Sequence, residues 1–109
     1  MMIVIVEFTL REGVEEQFES ALSRMQDRVK HYDGFLGEEP CRSVVDENKF
    51  VTIFSWRDRE SIKAWREDPE HVRVQELGRE KLLSCYKIRV CEVEREYGRD
   101  NLLGGPVHQ

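Results

Sequence analysis

Residues 3–6 read Ile-Val-Ile-Val, β-branched residues in unbroken succession. Such side chains are stiff at χ1 and fit a pleated surface, so residues 2–10 (MIVIVEFTL) read as a strand. Side chains alternate between the two faces of a strand. A strand that is apolar at consecutive positions therefore needs cover on both faces. Residues 49–56 (KFVTIFSW) repeat the demand: Phe50, Phe54 and Trp56 point one way, Val51 and Ile53 the other. Any fold of this chain must bury its sheet twice.

One cover is written into residues 14–32. There Val14, Phe18, Leu22, Met25, Val29 and Tyr32 recur at steps of three and four, one apolar stripe on a helix. Asp33-Gly34 ends it, with Gly34 suited to a left-handed C-terminal cap. Residues 35–44 make a weaker strand carrying Gly37 and Pro40. Proline lacks the N–H that a central ladder needs, which predicts an edge or irregular position. Asp46-Glu47-Asn48 is a turn signal, so a hairpin joins this strand to 49–56. Asp58 can cap a short helix bearing Ile62 and Trp65. Asp68-Pro69 restarts a helix, Asp68 as N-cap and Pro69 at the first helical position, and this helix is expected to run to about Leu83. Residues 85–96 (CYKIRVCEVERE) make the last strand.

The order β-α-β-β-α-β predicts an α+β, ferredoxin-like split βαβ fold: an antiparallel four-stranded sheet with helices on one face. The other face is still apolar, and an exposed face of that kind marks a partner or a ligand site. The simplest partner is a second copy, sheet against sheet about a two-fold axis.

A length of 109 residues suits one domain. The domain is expected over 1–97, with 98–109 as a flexible or swapped tail, because YGRDNLLGGPVHQ has no period. The net charge of −5 argues against nucleic acid or an anionic membrane as partner. The apolar start lacks a basic region and a cleavage site, and no segment nears the ~20 apolar residues of a membrane span. The expected location is cytoplasmic. The three cysteines, Cys41, Cys85 and Cys91, are then reduced thiols. On one strand Cys85 and Cys91 would lie ~20 Å apart at ~3.3 Å per residue, too far to pair. The chain contains no GxGxxG, GxxxxGK[ST], HExxH or GxSxG. His31, His71 and His108 lack metal-site spacing.

Gly34-Phe35-Leu36-Gly37, the strand Phe50 to Trp56, and Ala64-Trp65 followed by Pro69-Glu70-His71 carry a resemblance, to which Gly78-Arg79 and the stretch Tyr86 to Tyr97 add. Over residues 1–97 the chain resembles the antibiotic biosynthesis monooxygenase (ABM) family of dimeric α+β barrels. That resemblance implies a homodimer and a superfamily of mixed chemistry. It includes cofactor-free oxygenases of anthrones or quinols, heme-degrading enzymes, and decarboxylases or dehydratases. The heme-degrading branch has an iron-ligating histidine where this chain has Gln75, and a strand-one asparagine where it has Val6 or Glu7. Both departures count against heme degradation.

Trp65 reads either as a core anchor or as the wall of an aromatic pocket. His71 stands in the first turn of its helix, where the dipole disfavours the imidazolium. It reads either as a general base or as a structural hydrogen-bonding group. Trp56, Tyr86, Tyr32 and Phe54 are the candidate pocket residues. Tyr86 and Arg89 must face opposite sides, and Arg89 suits a surface ion pair. The expected function is cofactor-independent monooxygenation of a small aromatic quinol, phenol or anthrone with O2, with His71 and Trp65 at the chemistry. No metal or other cofactor is called for. The alternatives are a non-catalytic dimeric binding module for heme or a hydrophobic metabolite, and a purely structural role.

Overall fold

A computed structural model describes residues 1–99 and 107–108. In chain order the elements are β1 (Met2–Leu10), α1 (Glu15–Val29), β2 (Phe35–Arg42), β3 (Lys49–Trp56), α2 (Arg59–Arg66), α3 (Pro69–Leu77), a π-helical turn (Gly78–Leu82) and β4 (Leu83–Glu92). The four strands form one antiparallel sheet in the order β2-β3-β1-β4. This is the ferredoxin-like α+β arrangement. The two most continuously apolar strands, β1 and β3, take the centre. β2, with Pro40, takes an edge, where a missing N–H breaks no ladder, and it carries a bulge between Phe35 and Gly37. Of the tail 98–109, β5 (Gly98–Arg99) pairs with β6 (Val107–His108). The remainder of that tail lies outside the described residues.

Even-numbered residues of the central strands face the helices. Met2, Val4 and Trp56 join Met25 and Val29 of α1 and Trp65 of α2 in the core. A second aromatic group closes the other end: Phe8 lies 5.2 Å from Phe18 and 5.5 Å from Phe50, centroid to centroid. Odd-numbered residues face away. On that side Glu7 bridges Lys49 at 2.9 Å and also pairs with Arg89, which ties β3, β1 and β4 together. Tyr86 and Arg89 do face opposite sides, as alternation requires. All three cysteines are free thiols.

Three boundaries differ from the sequence expectation. α1 ends at Val29 with Lys30 as a right-handed cap, so Gly34 does not cap it. Gly34 serves a tighter purpose. Its φ is +88°, and a Cβ there would lie 1.9 Å from Ser61 Oγ. Its carbonyl accepts from Arg57 N–H at 2.8 Å. The second difference is at the end of α3. The α-helical pattern stops at Leu77, and Leu83 N–H reaches back five residues to Gly78 O, closing a π turn. β4 therefore starts at Leu83. The third is its end, at Glu92 rather than 96, where Val93 N–H still bonds Met1 O at 3.1 Å.

Candidate functional site

The sheet and the helical layer enclose a cavity of about 350 Å³, within the range of small-molecule sites. Its floor is a lattice fixed by strand register. One row runs Glu38–Phe54–Val4–Val90 and the next has Thr52, Val6 and Ile88. Its roof comes from the α1 stripe (Phe18, Leu22, Met25), from Ile62 and Trp65 of α2, and from one face of α3 and the π turn. On that last face the lining residues His71, Val74, Gln75, Gly78, Arg79 and Leu82 follow the i, i+3, i+4 rule. Polar groups thus recur at positions 71, 75 and 79 along a mostly apolar enclosure.

His71 owes its place to Asp68. The Asp68 carboxylate accepts from the backbone N–H groups of Glu70 and His71, both at 3.0 Å, and so caps α3. It also accepts a two-pronged contact from Arg28 of α1, at 2.8 and 2.9 Å, and the Tyr32 hydroxyl. Asp68 is 4% exposed, so this carboxylate stays charged only because those donors surround it. The Arg28 guanidinium, chiefly, holds its pKa far below the ordinary carboxylate range. The hydrogen bond that Tyr32 donates to Asp68, with burial beside it, pushes the Tyr32 hydroxyl pKa up.

The His71 ring stacks on Trp65 at 4.2 Å and 17° between planes. Its Nδ1 lies 3.0 Å from the Trp65 carbonyl oxygen. A carbonyl can only accept, so Nδ1 carries the proton and Nε2 carries the lone pair. Burial pushes the imidazolium pKa below its ordinary value, and the bond to Trp65 only partly offsets this. The result is a neutral imidazole in one tautomer, held flat against an indole, in the wall of an apolar cavity.

The lining brings together Trp56, Phe54, Trp65, His71 and Tyr86 of the residues singled out from the sequence. They differ in how much they offer. Trp56 is 1% exposed and packs edge-on against Phe35 at 5.3 Å, while Tyr86 is 48% exposed at the β4 edge. Tyr32 is placed one layer back, edge-on to Trp65 at 5.0 Å with its hydroxyl on Asp68. Sequence reasoning missed Arg28 and Glu38. The Arg28–Asp68 pair spans forty positions and leaves no local signal. Glu38 could have been flagged only from the register of β2 on β3. Among the described residues no group of three or more His, Cys, Asp or Glu side chains could hold a metal ion. The His71 lone pair is a single nitrogen donor. No helix of the described chain is long and apolar enough to cross a membrane.

The family model described as Antibiotic biosynthesis monooxygenase matches residues 1–77. The chain is 32% identical over 73 residues to the uncharacterized protein YqjZ of Bacillus subtilis, covering 67% of this chain and 62% of that protein. It is 26% identical over 93 residues to the Jasmonate monooxygenase ABM of Pyricularia oryzae, covering 85% of this chain and 43% of that protein. The chain thus spans less than two thirds of the length of either relative. Among solved structures, Rv0793 from Mycobacterium tuberculosis is similar at a TM-score of 0.78 and 20% identity, over 87% of this chain and 96% of that one. SnoaB from Streptomyces nogalater, described as a cofactor-independent oxygenase, gives a TM-score of 0.74 at 20% identity, over 87% and 94%.

Proposed function

The chain belongs to the antibiotic biosynthesis monooxygenase family, and from that premise we propose that it is a cofactor-independent oxygenase acting on a small electron-rich aromatic molecule with O2. The observation that carries this is His71: a neutral base of fixed tautomer in the wall of an apolar cavity. A phenol, quinol or anthrone fits between the floor of Phe54 and Val4 and the roof of Trp65. His71 Nε2 removes its acidic proton. The resulting phenolate or carbanion passes one electron to O2, the radical pair joins as a carbon-bound peroxide, and loss of water from it leaves a new carbonyl, so one oxygen enters the product, the other leaves as water and the substrate supplies all four electrons. The apolar walls keep water from the reactive species. Trp65 orients the ring of His71 and supplies a stacking surface. The names of SnoaB and of the Pyricularia oryzae monooxygenase support the reaction class.

The working unit in this proposal is a homodimer packed through the outer sheet face, acting in the cytoplasm with its cysteines reduced. Oxygen uptake against a panel of hydroquinones and anthrones tests the reaction. Native protein should consume O2 above the uncatalysed rate, and His71→Ala should lower the rate at least about tenfold, a threshold set below the ~100-fold low end for a general base. Uptake unaffected by His71→Ala removes the base assignment. No uptake across the panel removes the oxygenase and leaves a binding module for heme or a hydrophobic metabolite.

A further inference from the structure

Among the described residues Glu38 is the one acid in the cavity lining. It stands on the edge strand β2, beside Phe54 in register, at the end of a row otherwise made of Phe54, Val4 and Val90. Like Glu7 on the opposite face it is half-buried, but Glu7 is held by two cations, whereas Glu38 makes no ion pair among the described residues. The cation that Glu38 feels is Lys30, and Lys30 is engaged with Asp27 at 3.8 Å. Burial pushes the Glu38 carboxyl pKa up from its ordinary value, and Lys30 only partly offsets this. A carboxyl taken partly out of water without a partner is costly, and the cost is recovered when a ligand brings the donor.

We propose that Glu38 is the specificity-determining residue of this cavity, accepting a hydrogen bond from a second hydroxyl of an aromatic diol. The proposal rests on the cavity being the substrate site. His71 reads the ligand from the helical roof and Glu38 reads it from the strand floor. A diol satisfies both. A monomethyl ether satisfies one and leaves the other unpaired, and sites built to hydrogen-bond a hydroxyl reject analogues that lack it.

Calorimetric titration of the full-length protein with a naphthalenediol, hydroxyls on opposite rings, and with its monomethyl ether tests this. The native protein should bind the diol at least about tenfold more tightly than the ether. Glu38→Met keeps the side-chain length but removes the acceptor. It should bring the two affinities to within about twofold, the diol binding more weakly and the ether no more weakly than to the native protein, while Glu38→Gln, which retains an acceptor oxygen, should keep part of the preference. Should Glu38→Met fail to fold, Glu38→Val, β-branched and at home on an edge strand, makes the same deletion. A preference that survives either deletion overturns the role of Glu38, and so does equal binding of diol and ether by the native protein. Binding of neither compound overturns the substrate-site reading itself, and the role of Glu38 with it.

Discussion

At the scale of single residues, Asp68 does more than its sequence position declares. As an N-cap followed by proline it was legible, because cap chemistry is local. Its contacts with Arg28 and Tyr32 were not, because they form only once α1 and α3 are brought together. Removing the carboxylate therefore costs both a cap and a buried ion pair. Asp68→Ala should destabilise the fold by about 3 kcal/mol, between the ~1 of a cap and the 3–5 of a broken buried pair. Thermal melting checks it, with a fall of at least roughly 10 °C expected for a domain of this size. Its pH dependence has a definite sign. The folded pKa is depressed, so the contribution is complete above the unfolded value near ~3.9 and is lost as pH falls toward the lower folded value. In urea titrations, the stability difference between native protein and Asp68→Ala should shrink below about pH 4. A constant difference down to pH 2, which lies below ~3.9, would contradict the depressed pKa. For His71 the folded pKa is also depressed, so the neutral base persists below the ordinary ~6.5. The acid limb of kcat/KM should bend below that value. A limb bending above it would mean that burial does not govern the titration.

At the scale of elements, the apolar stripe of α1 was plain in the sequence, but its division of labour was not. Periodicity marks Phe18, Leu22, Met25 and Val29 alike. In the fold all four reach the cavity wall, but Met25 and Val29 are buried in the core cluster while Phe18 and Leu22 stay half-buried against open space. Hydrophobic patterning reports which face points inward, and it carries no information about whether the space there is filled. The π turn was equally hidden, since Gly78 reads as a mild helix weakener rather than as a change of hydrogen-bond register. Gly34 was marked as a cap when its real constraint is Ser61, across the gap between β2 and α2. That contact makes a paired prediction. Gly34→Ala should cost about 2 kcal/mol or more, from the positive φ together with the overlap. Ser61→Gly removes the overlapping atoms, so in that background the same change should cost only about 1 kcal/mol, the backbone part. Equal costs in the two backgrounds, measured by denaturant midpoints, would show that β2 shifts to avoid the clash.

At the scale of the whole molecule, the sequence asked for a sheet covered on both faces, and one chain covers only one. Ile3, Ile5, Val51 and Ile53 lie on the face opposite the helices, with Ile5 paired to Ile53 on one side and to Arg89 on the other. Four strands about 4.8 Å apart and some 30 Å long present roughly 500–600 Å² of flat face. With side-chain relief added, that nears the ~800 Å² per partner of a standard interface. The native protein is therefore expected to sediment at twice the 13.0 kDa mass of the chain. Ile5→Glu tests the assignment with little threat to the fold. The new carboxylate stands beside Arg89 in register, so a monomer can accommodate it, whereas two copies face to face would bury two like charges. The variant should sediment as a monomer. Because the cavity lies on the opposite face and is built within one chain, that monomer should still bind the diol within about twofold of the native affinity, against the tenfold steps expected of direct contacts. A variant that stays dimeric would move the interface elsewhere. A monomer that loses the ligand would show that the second copy shapes the cavity through the sheet.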